Sequence, residues 1–352
     1  MPKQMRVLCT GDEFIYPESF ERALEQRIGP GHEYVLHKSR WPDEPFQAND
    51  EVREYCGDEE EIAKLVPGID LWLNHIAPVT ERVLDAADRL VFIGTPRGGP
   101  VNVNIPAATR HGVVVANVPG RNAQAVAEWT IGALIAGQRH IAWSSTRMRE
   151  GDWTGHLYRY DQTGKELAGQ TVGLVGLGQI GSRVATMLRG FGVHLLAHDP
   201  YVDPDVAAER GVELVDLDEL LERSDVVSLH ARVTPETRGM FSKETLQKMR
   251  PGAYFVNGAR GELVDETALI EALKSGHLSG AALDVYAPHE PPLPDNPLLK
   301  MPNVVAVSHL AGASKQVADR AARRIAAEAA RFVRGEPLKN VINPQVERRK
   351  VT

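Results

Sequence analysis

Between residues 171 and 199 the chain carries an arrangement that few folds can accommodate. An apolar run, Thr171 to Val175, leads at once into Gly176-Leu177-Gly178-Gln179-Ile180-Gly181 and then into a helical stretch from Ser182 to Arg189. This is the GxGxxG pattern of a turn from a buried strand into a helix. Gly176 permits the tight turn, Gly178 lets a pyrophosphate approach the backbone, and Gly181 allows close packing of helix on strand. Gln179 and Ile180 complete the turn, and the helix N-terminus faces the phosphates. A lone GxGxxG is weak evidence, because Gly-rich turns are common. Here Asp199 lies 18 residues after Gly181, at the end of the next apolar run, where an acid can accept from both ribose hydroxyls. An acid there repels a 2′-phosphate, and Pro200 and Tyr201 supply no cation. The expected cofactor is therefore NAD, preferred over NADP.

Short β-branched runs alternate with amphipathic stretches on both sides of this motif, which is the signature of βα units feeding a parallel sheet. The first series reads Met5 to Thr10 as a strand, 17–28 as a helix, Glu33 to His37 as a strand, 59–65 as a helix and Asp70 to His75 as a strand. It continues through Thr80 to Ala87, Leu90 to Gly94, Pro106 to His111 and Gly112 to Asn117. The second contains 171–175, 194–198, Asp225 to His230, 253–257, Gly280 to Val285 and Asn303 to Ser308. Between them, Arg121 to Arg139 is expected to form one long crossover helix, followed by a polar excursion from Gly151 to Gly164. A final helix, Ser314 to Arg334, places Ala318, Ala322, Ile325, Ala329 and Phe332 on one apolar stripe. Its solvated face pairs Arg324 with Glu328 at i,i+4. The tail from Glu347 to Thr352 is expected to fray.

Length and composition suit this reading. At 352 residues the chain fits two domains, and 43% hydrophobic with 25% charged residues is the balance of a folded, soluble protein. A net charge of -7 without a sustained basic stretch disfavours nucleic acid. No apolar run approaches a membrane span, the N-terminus lacks a secretory pattern, and Cys9 and Cys56 form no CxxC pair, so a cytoplasmic setting is expected. There is no HExxH and no metal-ligand set, nor a serine nucleophile elbow.

Three later strand ends carry residues suited to chemistry. Arg260 follows 254–257, Glu290 follows 281–286, and His309 follows 304–308. In an open α/β sheet, ligands bind beyond the carboxyl ends of the strands. Singly, an Arg is usually on the surface, a Glu in a Pro-rich loop is usually solvated, and one of 12 histidines is usually incidental. Together, beside a nicotinamide fold, they point to catalysis.

The GLGQIG turn, the segments Asn257-Gly258-Ala259-Arg260-Gly261-Glu262-Leu263-Val264-Asp265 and Gly280-Ala281-Ala282-Leu283-Asp284-Val285-Tyr286, and Pro302 to His309 together resemble the D-2-hydroxyacid dehydrogenases, whose branches include D-lactate, D-3-phosphoglycerate and glyoxylate/hydroxypyruvate enzymes. The likeness extends over nearly the whole chain, including Val126-Ala127-Glu128-Trp129-Thr130. It implies an α/β architecture in which a Rossmann NAD-binding domain, 119–310, is inserted into a flavodoxin-like substrate domain, 1–118 plus 311–352. It also implies a homodimer through the NAD domains and an active site in the cleft between domains.

By the same resemblance, Arg260 binds the substrate's carboxylate and carbonyl, His309 exchanges the C2 hydroxyl proton, and Glu290 holds the second imidazole nitrogen. His230, Ala259, Asp284 and Gly312 join the cofactor site. The family's acid falls five residues after the Asp at 284, on His289, whereas Glu290 is six along. The downstream spacing implies a one-residue insertion. Ala231-Arg232-Val233 replaces a proline-bearing segment and puts a charge near the expected adenine edge.

The carboxylate-anchoring loop corresponds to Gly94 to Asn102, where the amides of Gly98 and Gly99 are the expected anchors. Arg97, with Asn74 and His75, is read either as contacting a polar or second anionic substrate group, such as a phosphate or sugar-acid hydroxyls, or, for Arg97, as part of a structural ion pair. The expected activity is hydride transfer between NAD(H) and a D-2-hydroxy or 2-oxo acid. A D-3-phosphoglycerate dehydrogenase lacking a regulatory domain and a formate dehydrogenase are within-fold alternatives, though the latter carries Gln where Glu290 stands. An NAD-sensing, corepressor-like binding protein is the alternative of a different class.

Overall fold

The computed structural model describes residues 4–347. Of the tail expected to fray, 348–352 lie outside the described residues. The chain divides into two compact units, Met1–Arg121 with Ser314–Thr352, and Asn122–Ala313. The divisions expected after residues 118 and 310 fall three residues earlier.

The first unit contains β1 (Arg6–Gly11), β2 (Glu33–Lys38), the short hairpin β3 (Gln47–Ala48) and β4 (Arg53–Tyr55), β5 (Leu71–Asn74), β6 (Phe92–Gly94) and β7 (Val114–Ala116). Its main sheet runs β2-β1-β5-β6-β7, all parallel. Helices Pro17–Ile28 and Lys315–Val333 cover one face through Phe20, Leu24, Ala322 and Ile325, while Ile62, Val83, Leu84 and Ala107 pack on the other. Covering both faces explains why these strands read as continuous apolar runs.

The final helix departs from expectation in its polar contacts. Glu328 does not pair with Arg324; it is 4% exposed and accepts the Lys339 amide at 2.8 Å, while Arg324 donates to the Pro119 carbonyl at 3.2 Å. A buried carboxylate is better satisfied by the otherwise unpaired amides of the following loop than by a side chain that can stay in water.

The second unit contains β8 (Thr171–Val175), β9 (His194–His198), β10 (Glu213–Leu214), β11 (Val226–Leu229), β12 (Ala253–Asn257), β13 (Leu278–Leu283) and β14 (Val304–Ala306). They form a parallel sheet in the order β10-β9-β8-β11-β12-β13-β14. The helix expected from Arg121 to Arg139 is present as Ala123–Gln138, and a second helix, Ile141–Arg149, follows it where none was expected. The break lies at His140, whose φ of 55° is left-handed and cannot continue a right-handed helix.

Candidate active site

In the second unit the strand order reverses at β8, so the chains leaving β8 and β11 diverge and open a crevice at their carboxyl ends. The glycine turn stands there. Gly176 has a φ of 99°, and a Cβ on Gly181 would lie 2.1 Å from the Gly176 carbonyl oxygen. The chain itself therefore requires those two glycines. At Gly178 a Cβ would meet nothing within 4 Å, so the backbone is open to a group approaching from outside. Gln179 is exposed, and the Ile180 carbonyl accepts the amides of Arg183 and Val184 at the start of the helix.

Asp199 is held at the mouth of this turn, one carboxylate oxygen accepting the Leu177 amide at 2.8 Å and the other the Tyr201 amide at 3.0 Å. Each oxygen keeps a further lone pair. His230, after β11, sets its Nε2 3.0 Å from Ser228 Oγ, and its Nδ1 is buried without a partner among the described residues. Burial pushes this ring down to about 4, so it is neutral. An open glycine cradle, a fixed carboxylate and an orphaned ring nitrogen fit a dinucleotide. Arg232 is exposed.

Three adjacent strands deliver the other candidates. After β12, Asn257 shapes the loop: its Oδ1 accepts the Ala259 amide and its Nδ2 donates to the Arg260 carbonyl, both at 3.0 Å. The Arg260 side chain is exposed and donates to the Ala259 carbonyl at 2.7 Å. After β13, Asp284 is 1% exposed and accepts the amides of Leu310 at 2.6 Å and Ala311 at 2.9 Å, while its carbonyl accepts the His309 amide at 2.9 Å. Asp284 thus clamps the chain after β14. The clamp holds His309 at a φ of 53°, a left-handed conformation that costs a residue with a Cβ about 1–3 kcal/mol. A Cβ on Gly312 would come 2.7 Å from Asn122 Nδ2, so the loop closes tightly here too.

Glu290 meets His309. Its Oε2 lies 2.8 Å from His309 Nδ1, with the side chains 38% and 43% exposed respectively. The hydrogen bond to Glu290 is the main cause raising the His309 pKa above 6.5, helped by the charges of Glu290 and Asp284 and opposed by burial and Arg260. With Nδ1–H donated to Glu290, Nε2 is the atom left to exchange a proton.

The substrate residues expected in the first unit behave differently. Asn74 is fully buried and its amide is engaged inside the fold, accepting from Thr10 and Ala77 and donating to the Ala77 carbonyl. It is a structural residue, a correction to the expectation that it contacts substrate. His75 is 2% exposed, with Nδ1 bonded to Asp12 and Nε2 3.4 Å from Arg121 Nη2. Arg97 forms the ion pair left open as an alternative, to the Glu54 carboxylate, and also donates to the Glu54 carbonyl at 2.9 Å. The Gly98 and Gly99 amides have no acceptor among the described residues, and a Cβ at either would find space. An open hollow of about 530 Å³ beside Gly99 is lined by Asp50 and Glu51, whose charges do not suit an anion.

Sequence reasoning missed Asn257, Asp12 and Arg121 as shaping residues. Asn257 stood inside a recognised segment; nothing in the chain links Asp12 to His75, 63 residues away.

A parallel sheet with a glycine-rich turn at its switch point, and a paired His and Glu at its far strand ends, defines a dinucleotide-linked α/β protein. Residues 131–311 match the family described as D-isomer specific 2-hydroxyacid dehydrogenase, NAD binding domain. Among curated proteins, the D-3-phosphoglycerate dehydrogenase of Archaeoglobus fulgidus is 40% identical over 82% of this chain and 54% of its own. The glyoxylate reductase of Korarchaeum cryptofilum is 39% identical over 76% of this chain and 81% of its own. Among solved structures, the TT0316 protein of Thermus thermophilus superposes with a TM-score of 0.80 at 31% identity, covering 96% of this chain and 100% of that one. The chain belongs to the D-isomer specific 2-hydroxyacid dehydrogenase family. It spans about half the length of the D-3-phosphoglycerate dehydrogenases it matches.

Proposed function

We propose that the protein is an NAD(H)-dependent oxidoreductase that interconverts D-2-hydroxy acids and 2-oxo acids. The observation that carries this reading is the His309–Glu290 pair, set beyond β13 and β14 in the same sheet whose β8 end carries the open glycine turn. The turn 176–181, Asp199, His230, Ala259, Asp284 and Gly312 would hold the dinucleotide. When bound, NAD supplies the acceptor for a hydride from substrate C2, and NADH the donor in the reverse direction.

The chain's own residues do the rest. Arg260 presents a permanently charged planar guanidinium to the substrate's carboxylate and carbonyl oxygens. His309 Nε2 takes the C2 hydroxyl proton in oxidation and returns it in reduction. Glu290 fixes the Nδ1–H tautomer and favours the imidazolium, so the proton is ready for reduction. The Gly98 and Gly99 amides offer anchors for a carboxylate. Asp199 gives preference for NAD over NADP, because a ribose 2′-phosphate would meet its charge.

Two copies pair through the second unit. Ile141, Met148, Trp153, Tyr158 and Tyr160 lie within one stretch and are 48–97% exposed, a concentration of apolar surface that marks an interface. Among the described residues no helix is long and apolar enough to cross a membrane. Both cysteines are free and buried, which supports a cytoplasmic location.

The decisive test follows NADH absorbance while 2-oxo acids are screened, then repeats the best substrate with His309→Ala. Turnover in the wild type and its loss in the variant, with NADH affinity retained, is the expected result. Tight NADH binding with no turnover of any acid would instead indicate a sensor.

A further inference from the structure

Glu290 stands in the loop 287–296, six residues after Asp284 and so one further along than the family spacing. Four of the loop's ten residues, Pro288, Pro291, Pro292 and Pro294, have no backbone N–H to donate. Such a loop has few ways of holding itself in place. Apart from contacts with its own flanking residues, its hydrogen bonds to the rest of the described chain go to two residues, Glu266 and His309.

Glu266 closes that loop at both ends. It is the first residue of the helix Glu266–Lys274, whose N-cap Asp265 accepts the Ala268 amide at 3.1 Å. The helix dipole favours a carboxylate in that first turn. One oxygen, Oε2, accepts the Ala287 amide at 3.4 Å, where the loop begins; the other, Oε1, accepts from Asn296 Nδ2 at 2.7 Å, where it ends. Asn296 Oδ1 in turn accepts the Leu298 amide at 2.9 Å and caps the short helix Pro297–Lys300. A single half-buried carboxylate therefore fixes the span of the loop.

The junction that Glu266 grips, Tyr286–Ala287, is also where the candidate catalytic segments converge. A Cβ on Gly261, the residue after Arg260, would lie 2.1 Å from the Tyr286 carbonyl oxygen, so the two loops meet backbone to backbone. The Tyr286 amide donates to Glu290 Oε1 at 3.4 Å, which leaves Oε2 to reach His309. The Tyr286 hydroxyl donates to the Val307 carbonyl at 2.9 Å, two residues before His309. A small cavity is lined by Asn257, Gly261, Glu266, Tyr286, Ala287 and Leu298. Side chains do not fill the junction completely, so its hydrogen bonds carry the positioning.

We propose that Glu266 is a positioning residue for the proton relay: by holding Ala287 and Asn296 it sets the reach of Glu290 to His309. This rests on the reading in which His309 exchanges the substrate proton. Among the described residues Glu266 makes no hydrogen bond or ion pair to His309, and it acts through Glu290. The charged groups facing His309 are Glu290 from the loop, Asp284 after β13 and Arg260 after β12. Of these, only Glu290 depends on the loop. With its ends released, the loop gains conformations in which Oε2 is out of reach.

The test reads the titration of His309 directly, by NMR of the full chain with isotope-labelled histidine, the signal being the one lost in His309→Asn. The wild-type midpoint is expected above 6.5. Glu266→Ala should lower it by about 0.5 pH unit, part of the shift that an adjacent carboxylate contributes. Glu266→Gln, which is neutral but keeps an acceptor for the loop, should recover more than half of that change. In a Glu290→Gln background, Glu266→Ala should produce no further shift, because the two act in series. Where turnover is measurable, reduction above the midpoint should slow about threefold in Glu266→Ala, the factor that half a pH unit gives on the falling limb, with kcat rather than KM taking the loss.

If Glu266→Ala does not fold, Asn296→Ala, which releases the far end of the loop, should move the midpoint in the same direction and again add nothing to Glu290→Gln. A midpoint left in place by the alanine variants overturns the assignment. So do an equal fall in Glu266→Gln and Glu266→Ala, which would show the charge acting directly, and shifts that add to that of Glu290→Gln. If no 2-oxo acid is turned over, the catalytic reading fails, and the titration still decides whether Glu266 positions Glu290.

Discussion

The two units share one architecture and use it in opposite ways. Each is a parallel sheet with helices on both faces and a reversal of strand order that opens a crevice. In the second unit the histidine–carboxylate pair at the strand ends stays partly in water: Glu290 and His309 are 38% and 43% exposed. In the first unit Asp12 and His75 are sealed at 0% and 2% exposure. A histidine bonded to a carboxylate occurs in both places. Exposure separates a group that can exchange a proton with substrate from one that can only orient its neighbour.

Substitution at the two histidines is the strongest way to break this contrast. His309→Asn should lower kcat/KM by about 10³-fold, within the range for losing a general acid or base, and leave the melting temperature within a degree or two. His75→Asn should do the reverse, costing about 3 kcal/mol of stability because Asp12 is left buried without its partner. Parallel measurements of turnover and thermal unfolding check both. Equal destabilisation by the two changes would erase the distinction.

The pH profile sharpens it next. With His309 as the proposed acid for reduction, the rate should be full at low pH and fall as pH rises through a pKa held above 6.5 by Glu290. Glu290→Gln removes the main cause of that elevation. The falling limb should move to lower pH, with kcat at pH 7 reduced by about tenfold. A profile unchanged in the variant would separate Glu290 from the proton.

A smaller effect is expected at the cofactor. Asp199→Ala removes the charge proposed to face the ribose and should cut the ratio of kcat/KM for NADH over NADPH by about tenfold, the scale of one charge-assisted hydrogen bond. An unchanged ratio would place cofactor choice elsewhere. The smallest effect concerns acid. His75 is depressed below 6.5 in the folded state, so the unfolded chain binds its proton first and stability declines as pH falls through about 6.5. Replacing His75 should flatten that part of the melting-temperature profile.

The legible parts of the molecule were those with local causes. Helices Pro17–Ile28 and Glu59–Leu65 and strands Thr171–Val175, His194–His198 and Ala253–Asn257 match their expected bounds, because apolar periodicity and flanking turns act over a few residues. The one-residue offset of Glu290 was readable from spacing on both sides, and the 2.8 Å contact with His309 is present. The hairpin β3–β4, with two and three residues in its strands, was too short to leave a periodic signal. The helix Ile141–Arg149 buries none of its residues within the chain, so no core-facing stripe marked it in the sequence. Asn74 and Glu328 looked available and are engaged, Asn74 with Thr10 on the neighbouring strand and with Ala77, and Glu328 with the Lys339 and Asn340 amides beyond the end of its helix.

The sequence by itself determined the parallel α/β class, the glycine turn with its acid 18 residues on, and the identity of the residues at the ends of β12, β13 and β14. Each of these follows from steric demands within one strand-turn-helix unit. Only the tertiary structure decided which polar groups are buried and whose hydrogen bonds are complete. Burial is a property of packing among distant segments, and a carboxylate such as that of Glu266 acquires meaning from partners 21 and 30 residues away that no neighbouring residue can reveal.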